Sequence, residues 1–163
     1  MAEETPKARA NRELIELLNE LRVALPGTQV LFAFLLAVPF QQRFREATDF
    51  QRDTYFVTLS TALVSIALLI APSAYHRLNF RNHDKQRIVS FGNRCVIAGL
   101  AVLAVALVSV MVLITDVLFG GAAVIIVPVL SAGLLIILWA LLPLHARART
   151  DGTEDPRSPG PRG

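Results

Sequence analysis

Four long apolar stretches fill most of this 163-residue chain, and they constrain its fold more than any other feature. At ~1.5 Å per residue, a helix over each stretch would cross, or nearly cross, a hydrocarbon core of ~30 Å. We therefore predict an all-α integral membrane bundle of four transmembrane helices. The stretches cover residues 24–40, 55–75, 95–119 and 122–142.

The segments outside these stretches are polar. Residues 1–10 are predicted to be a flexible N-terminus. Residues 11–25 have leucines at helical spacing between charged residues, which predicts an amphipathic interfacial helix. Its polar face is rich in Glu, so we expect it to pack against the bundle or a partner subunit rather than anionic lipid. Pro26-Gly27 is expected to break or bend the chain where this helix meets the first span.

The transmembrane domain is predicted to cover residues 24–146, and residues 147–163 are predicted to form a disordered cytoplasmic tail. That tail is rich in Arg, Asp, Gly, Pro and Ser, a composition that cannot bury a core.

The distribution of basic residues predicts the orientation. The N-terminal segment, the connection between spans two and three, and the C-terminal tail hold four, five and four Lys or Arg, respectively. The connection between spans one and two holds three, and the Gly120-Gly121 connection holds none. Because cytoplasmic segments carry the excess of Lys and Arg, both termini are predicted to face the cytoplasm. The four stretches predict a multi-pass membrane protein. Fourteen of its sixteen basic residues are Arg, a bias that fits a GC-rich bacterial genome, so we expect it in a bacterial cell membrane.

Asp116 is the carboxylate closest to the deep part of a span, and it is the first candidate for ion or proton coupling. An acid inside a membrane commonly serves as a proton or cation site. The alternative is a structural carboxylate, because Asp116 lies about one turn from the outer end of the third span and can reach the interface there.

Gln29, His76 and Arg77 are further candidates. Gln29 lies in the first turns of span one and is predicted to be the most buried polar group, hydrogen-bonded to another helix. His76 and Arg77 end span two, where they could shuttle protons or simply anchor the helix at the interface. Tyr55 and Tyr75 bracket span two and are predicted to form membrane-facing aromatic belts.

The sequence offers little for other kinds of chemistry. It contains no HExxH, GxSxG, Walker A or CxxC pattern, so we expect no enzyme activity, no metal site and no cofactor. The lone Cys95 cannot form an internal disulfide. No basic patch with interleaved aromatic residues is present, so nucleic-acid binding is not expected.

Three segments of the chain resemble a known family. ELIELLNELRVALPGTQVLFAFLLAVPFQQRF, LLIAPSAYHRLNFR and ITDVLFG are similar to short four-helix membrane proteins of unknown function from high-GC Gram-positive bacteria. The resemblance covers residues 13–120. Some members of that family carry an automatic sodium:proton antiporter label, but the resemblance brings no established active site.

Two functions from different classes follow. The first is a small polytopic membrane protein with an accessory or interaction role. The second is an oligomeric sodium:proton (cation:proton) antiporter, in which Asp116, Gln29 and a helix kink at Pro128 would be the working parts. The expected partners are the lipid bilayer and either further copies of the chain or another membrane protein.

Overall fold

The structure, a computed structural model, describes residues 6–78, 85–142 and 144–145. These residues form four long helices and two short connecting 3₁₀ helices. The long helices are α1 (Pro6–Ala37), α2 (Asp49–Leu78), α3 (Lys85–Leu118) and α4 (Ala123–Ile136). The 3₁₀ helices Val38–Phe40 and Gln42–Glu46 connect α1 to α2, and α4 continues as a π-helical turn, Ile137–Leu141.

Four helical segments are long and apolar enough to cross a membrane, which confirms the prediction of four such helices in an all-helical fold. These segments are Leu21–Phe40, Asp49–Tyr75, Ser90–Leu118 and Ala123–Leu141. The first continues from α1 into the 3₁₀ helix Val38–Phe40, and the fourth continues from α4 through its π-helical turn. The helices α1 to α3 are longer than the apolar stretches from which they were predicted. The 34 residues of α3, for example, extend over ~51 Å, so its ends reach beyond a ~30 Å hydrocarbon core.

The N-terminal helix is continuous with the first span. The helix α1 begins at Pro6 rather than Asn11 and runs through Pro26 and Gly27, so the predicted break there does not occur. A proline inside a helix removes one backbone hydrogen bond, and a transmembrane helix tolerates that loss when nearby groups compensate. The predicted tail at 147–163 and residues 1–5 of the N-terminus predicted to be flexible over 1–10 lie outside the described residues.

The core of the fold is a three-helix bundle of α1, α2 and α3. Two apolar clusters hold it together, and each takes one buried residue from every helix. One cluster contains Leu21, Leu69 and Val96, and the other contains Leu35, Ala62 and Ala106. Among the described helices, α4 packs only against α3, so it flanks the bundle instead of completing a symmetric four-helix arrangement.

The closest approach in the bundle is between α2 and α3, where small residues face each other. A Cβ added at Gly99 would lie 2.9 Å from Leu69 Cδ2 and 3.3 Å from Leu68 Cβ. Ser65, on the same face of α2, donates a 2.8 Å hydrogen bond to the carbonyl oxygen of Gly99. Without a side chain at residue 99, the two backbones come close enough for this bond to form.

The connection between α3 and α4 is a tight reversal made by two glycines. Gly120 and Gly121 have φ values of +65° and +59°, a left-handed conformation that costs glycine little. The N–H groups of Phe119 and Gly120 both donate to the carbonyl of Thr115 and end α3. The start of α4 therefore lies at the same end of the molecule as the α1–α2 connection; we call this the Asp116 end.

The prediction that Tyr55 forms a membrane-facing belt is wrong. Its side chain is only 8% exposed, and its hydroxyl donates to the carbonyl of Leu35 in α1. The ring of Phe44 meets the ring of Tyr55 edge-on, with 5.0 Å between centroids. The polar tip of Tyr55 has a partner inside the protein, which removes the need to reach the headgroup region.

Candidate functional site at the Asp116 end of the bundle

Asp116 lies in the last turn of α3, two residues before the helix ends at Leu118, and its side chain is half-buried. The structure pairs it with a residue from a distant part of the sequence. Gln51 Nε2, in the first turn of α2, donates a 2.8 Å hydrogen bond to Asp116 Oδ2. This bond joins two helices at positions that are 65 residues apart.

The orientation of the Gln51 amide is fixed by a capping box at the start of α2. The N–H of Gln51 donates to Thr48 Oγ1, and the N–H of Thr48 donates to Gln51 Oε1, both at 3.2 Å. This reciprocal pair satisfies backbone donors that a helix N-terminus leaves free. Because the amide oxygen is used in the cap, the amide nitrogen is the end that points at Asp116.

The helix termini also act on the Asp116 carboxylate. A helix C-terminus carries partial negative charge, so α3 itself disfavours an anion at this position. The N-terminus of α2 carries partial positive charge and lies beside Asp116 through Gln51, which favours the anion. Arg43 Nη2 makes a long, exposed contact of 3.5 Å with the carbonyl oxygen of Val117, which places a cation at the end of α3.

The described residues contain no group of three or more His, Cys, Asp or Glu side chains that could hold a metal ion. What the arrangement does provide is one carboxylate oxygen held by a neutral amide donor.

The structure does not bring the four candidate residues into one site. Gln29 lies on an exposed face of α1, which contradicts the prediction that it is the most buried polar group. Its neighbour Thr28 is buried instead and donates to the carbonyl of Ala24 within α1.

Arg77 lies at the opposite end of the molecule from Asp116. It is exposed, and it follows Gln51 by 26 residues of continuous helix, or ~39 Å. The side chain of His76 lies outside the described residues. A proton path that uses both Asp116 and Arg77 would therefore have to run the length of α2.

Gln51 and Thr48 are the site residues that the sequence reasoning missed. Their signal was present, since Thr48-x-x-Gln51 followed by an apolar run is the pattern of a capping box. The apolar stretch starts only at Tyr55, so residues 41–54 were predicted to be a loop. The pairing with Asp116 has no local signal in the sequence.

The chain belongs to a family of unknown function, DUF6328, whose family model matches residues 3–143. No curated protein and no solved structure matches the chain.

Proposed function

We propose that this member of a family of unknown function is an integral protein of a bacterial cell membrane, with an accessory or interaction role and no enzymatic activity. The four helices of membrane-spanning length support the first part of the proposal. The second part is supported by the positions of the carboxylates in those helices and by the hydrogen bonds of their buried hydroxyl groups.

The observation that carries the proposal is the position of the carboxylates. The four membrane-length segments contain Asp49, Asp53 and Asp116, and all three lie within the first five or last three residues of a helix at the same end. Cation–proton exchange commonly uses acids in a cavity near the middle of the bilayer. The spans of this chain provide a carboxylate only at the Asp116 end.

The hydroxyl groups inside the bundle also fit a structural role. Thr28, Thr58, Ser65 and Thr115 are buried, and each donates its hydroxyl proton to a backbone carbonyl. Within the described residues, no buried side-chain polar atom lacks a hydrogen-bond partner. The hydroxyls of Thr28, Thr58 and Thr115 bond within their own helices and that of Ser65 bonds across to α3, so these donors are already used inside the protein.

The orientation belongs to the same proposal. The Asp116 end holds Arg43, Arg45 and Arg52, and the Gly120-Gly121 reversal at this end adds no basic residue. The other thirteen Lys and Arg lie in three parts of the chain, residues 7–22, 77–94 and 147–162. This bias supports a cytoplasmic location for both termini and an external location for Asp116.

The continuity of α1 supports an interaction role. Residues 6–20 precede the membrane-length segment Leu21–Phe40 within one helix, so they extend ~22 Å beyond it. Ile15 on this extension is 60% exposed. A helix that projects this far past its membrane-length segment presents a surface to partner proteins outside the bilayer, and Ile15 is an exposed position at which that surface can be probed.

A flux assay on purified protein in liposomes tests the proposal against the antiporter alternative. A pH-sensitive dye inside the liposomes reports proton movement after pulses of sodium or potassium. We expect no cation-dependent signal from protein shown to be folded and inserted. Cation-dependent proton movement that is lost in Asp116→Asn and kept in Asp53→Asn, a matched carboxylate in α2, would overturn the accessory role and establish ion coupling.

A photo-crosslinking amino acid tests the interaction role directly in cells. We expect a discrete protein adduct when the crosslinker replaces Ile15 and none when it replaces Ile125, an exposed residue of α4. The absence of a protein adduct at residue 15 would contradict a partner contact through α1.

A further inference from the structure

The helices α2 and α3 are joined covalently at one end only. The chain passes directly from α2 to α3 through residues 79–84. At the Asp116 end these helices lead into different connections, so no short segment ties Gln51 to Asp116. The hydrogen bond between their side chains closes the open end of the pair.

The molecule divides naturally into two hairpins at this end. The helices α1 and α2 are held together by the Tyr55–Leu35 hydrogen bond and by the Phe44–Tyr55 ring contact. The helix α4 packs against α3 and against no other described helix, so it accompanies α3 in any movement. The α1–α2 hairpin and the α3–α4 hairpin meet along α2 and α3 and, less extensively, along α1 and α3.

Buried residues run through the middle of the bundle and on toward the Asp116 end, where Tyr55, Thr58 and Thr115 are buried. Ala62 and Ala106 are fully buried against Leu35, and Ser65 donates to Gly99 farther from the open end. At the Asp116 end, the described side-chain hydrogen bonds between the hairpins are Gln51–Asp116 and the long Arg43–Val117 contact.

We propose that the Gln51–Asp116 hydrogen bond is a latch that holds the two hairpins together at the open end. Its release lets α2 and α3 separate beyond Ala62 and Ala106, which act as the pivot. The capping box orients the Gln51 side chain for this bond. The N–H of Thr48 donates to the Gln51 amide oxygen, which leaves the amide nitrogen directed toward Asp116. This inference goes beyond the accessory role and does not depend on it.

The expected movement is small and measurable. Asp116 is ten residues beyond Ala106 in α3, which places it ~15 Å from the pivot. A splay of about 15°, within the scatter of helix crossing angles, would move a point at that distance by ~4 Å.

Pulsed electron paramagnetic resonance distances on the full chain in lipid nanodiscs test the latch. Spin labels replace Phe50 and Phe119, which are exposed near the starts of α2 and of the α3–α4 connection, in a Cys95→Ser background. A second labelled pair at Arg77 and Arg94 reports on the opposite end, where both residues are exposed. The variants are Gln51→Ala, Asp116→Ala and the two combined, with Asp53→Ala as the control for loss of a nearby exposed carboxylate.

We expect Gln51→Ala and Asp116→Ala each to lengthen and broaden the 50–119 distance by ~4 Å, the movement estimated from the pivot. The double variant should add nothing, since both changes break the same bond. The 77–94 distance and the Asp53→Ala control should match the parent protein. An unchanged 50–119 distance in Gln51→Ala would overturn the latch, and so would equal broadening at both ends, which indicates general loosening of the bundle.

Discussion

The hydroxyl of Tyr55 in α2 donates a 3.1 Å hydrogen bond to the carbonyl oxygen of Leu35 in α1. In an α-helix that carbonyl would accept from the N–H of residue 39, and residue 39 is a proline. The tyrosine therefore supplies a donor where Pro39 cannot. Because an unpaired carbonyl is costly in a membrane, this pairing explains why Tyr55 points into the bundle.

Removing the Tyr55 hydroxyl should destabilise the protein by about 0.5–1.5 kcal/mol, the usual net value of one hydrogen bond. We expect Tyr55→Phe to unfold earlier than the parent protein in a denaturant titration in detergent. Pro39→Ala restores a backbone N–H, so Tyr55→Phe should cost less in the Pro39→Ala background. Equal costs in both backgrounds would show that the hydroxyl does not replace the missing donor.

A side chain at Gly99 should destabilise the α2–α3 packing. The new Cβ of Gly99→Ala would meet Leu69 Cδ2 at 2.9 Å and Leu68 Cβ at 3.3 Å, and overpacking of this kind typically costs about 1–3 kcal/mol. Gly133→Ala in α4 is the matched control, because nothing lies within 4 Å of its Cβ. The control should leave the melting temperature unchanged or raise it, since alanine favours a helix. A drop of similar size in both variants would contradict the close approach at Gly99.

Loss of the Ser65 hydroxyl should also weaken the contact between α2 and α3. Interhelical hydrogen bonds in membranes contribute about 0.6–2 kcal/mol, and we expect Ser65→Ala to lose an amount in this range in the same titration. The hydroxyl of Thr61, by contrast, bonds to carbonyls of its own helix. Thr61→Val should therefore be near neutral, and a larger loss there than in Ser65→Ala would refute the assignment.

Much of the fold could be predicted because an apolar run of membrane length satisfies its backbone hydrogen bonds most readily as an α-helix. Hydropathy located all four helices, but it placed their ends poorly. The start of α2 at Asp49 depends on the Thr48–Gln51 cap, which is polar and does not contribute to an apolar run. The inward orientation of Tyr55 depends on Pro39 in another helix, a tertiary relationship that no local pattern reveals.

The candidate site was predicted only in part. Asp116 was expected near a helix end, and it lies there. Its partner Gln51 was missed because the bond spans 65 residues of sequence. Gln29 was expected to be buried, yet the chain buries the adjacent Thr28, whose hydroxyl can bond to its own helix, and exposes the amide.

The capping box should contribute to stability by itself. Replacing an N-cap threonine by alanine typically costs about 0.5–2 kcal/mol, and we expect Thr48→Ala to lose stability in this range. Thr48→Ser keeps the hydroxyl and should retain most of it. A Thr48→Ser variant as unstable as Thr48→Ala would mean that the hydroxyl of Thr48 does not cap α2.

Thiol accessibility in intact cells tests most directly the proposed arrangement of four spans with the Asp116 end outside. Single cysteines replace Gln42, in the α1–α2 connection, and Asn82, between α2 and α3, in a Cys95→Ser background. A membrane-impermeant maleimide should label position 42 in intact cells and label position 82 only after the membrane is opened. Labelling of position 82 from outside, with position 42 protected, would contradict the orientation, and labelling of both positions in intact cells would contradict the spans.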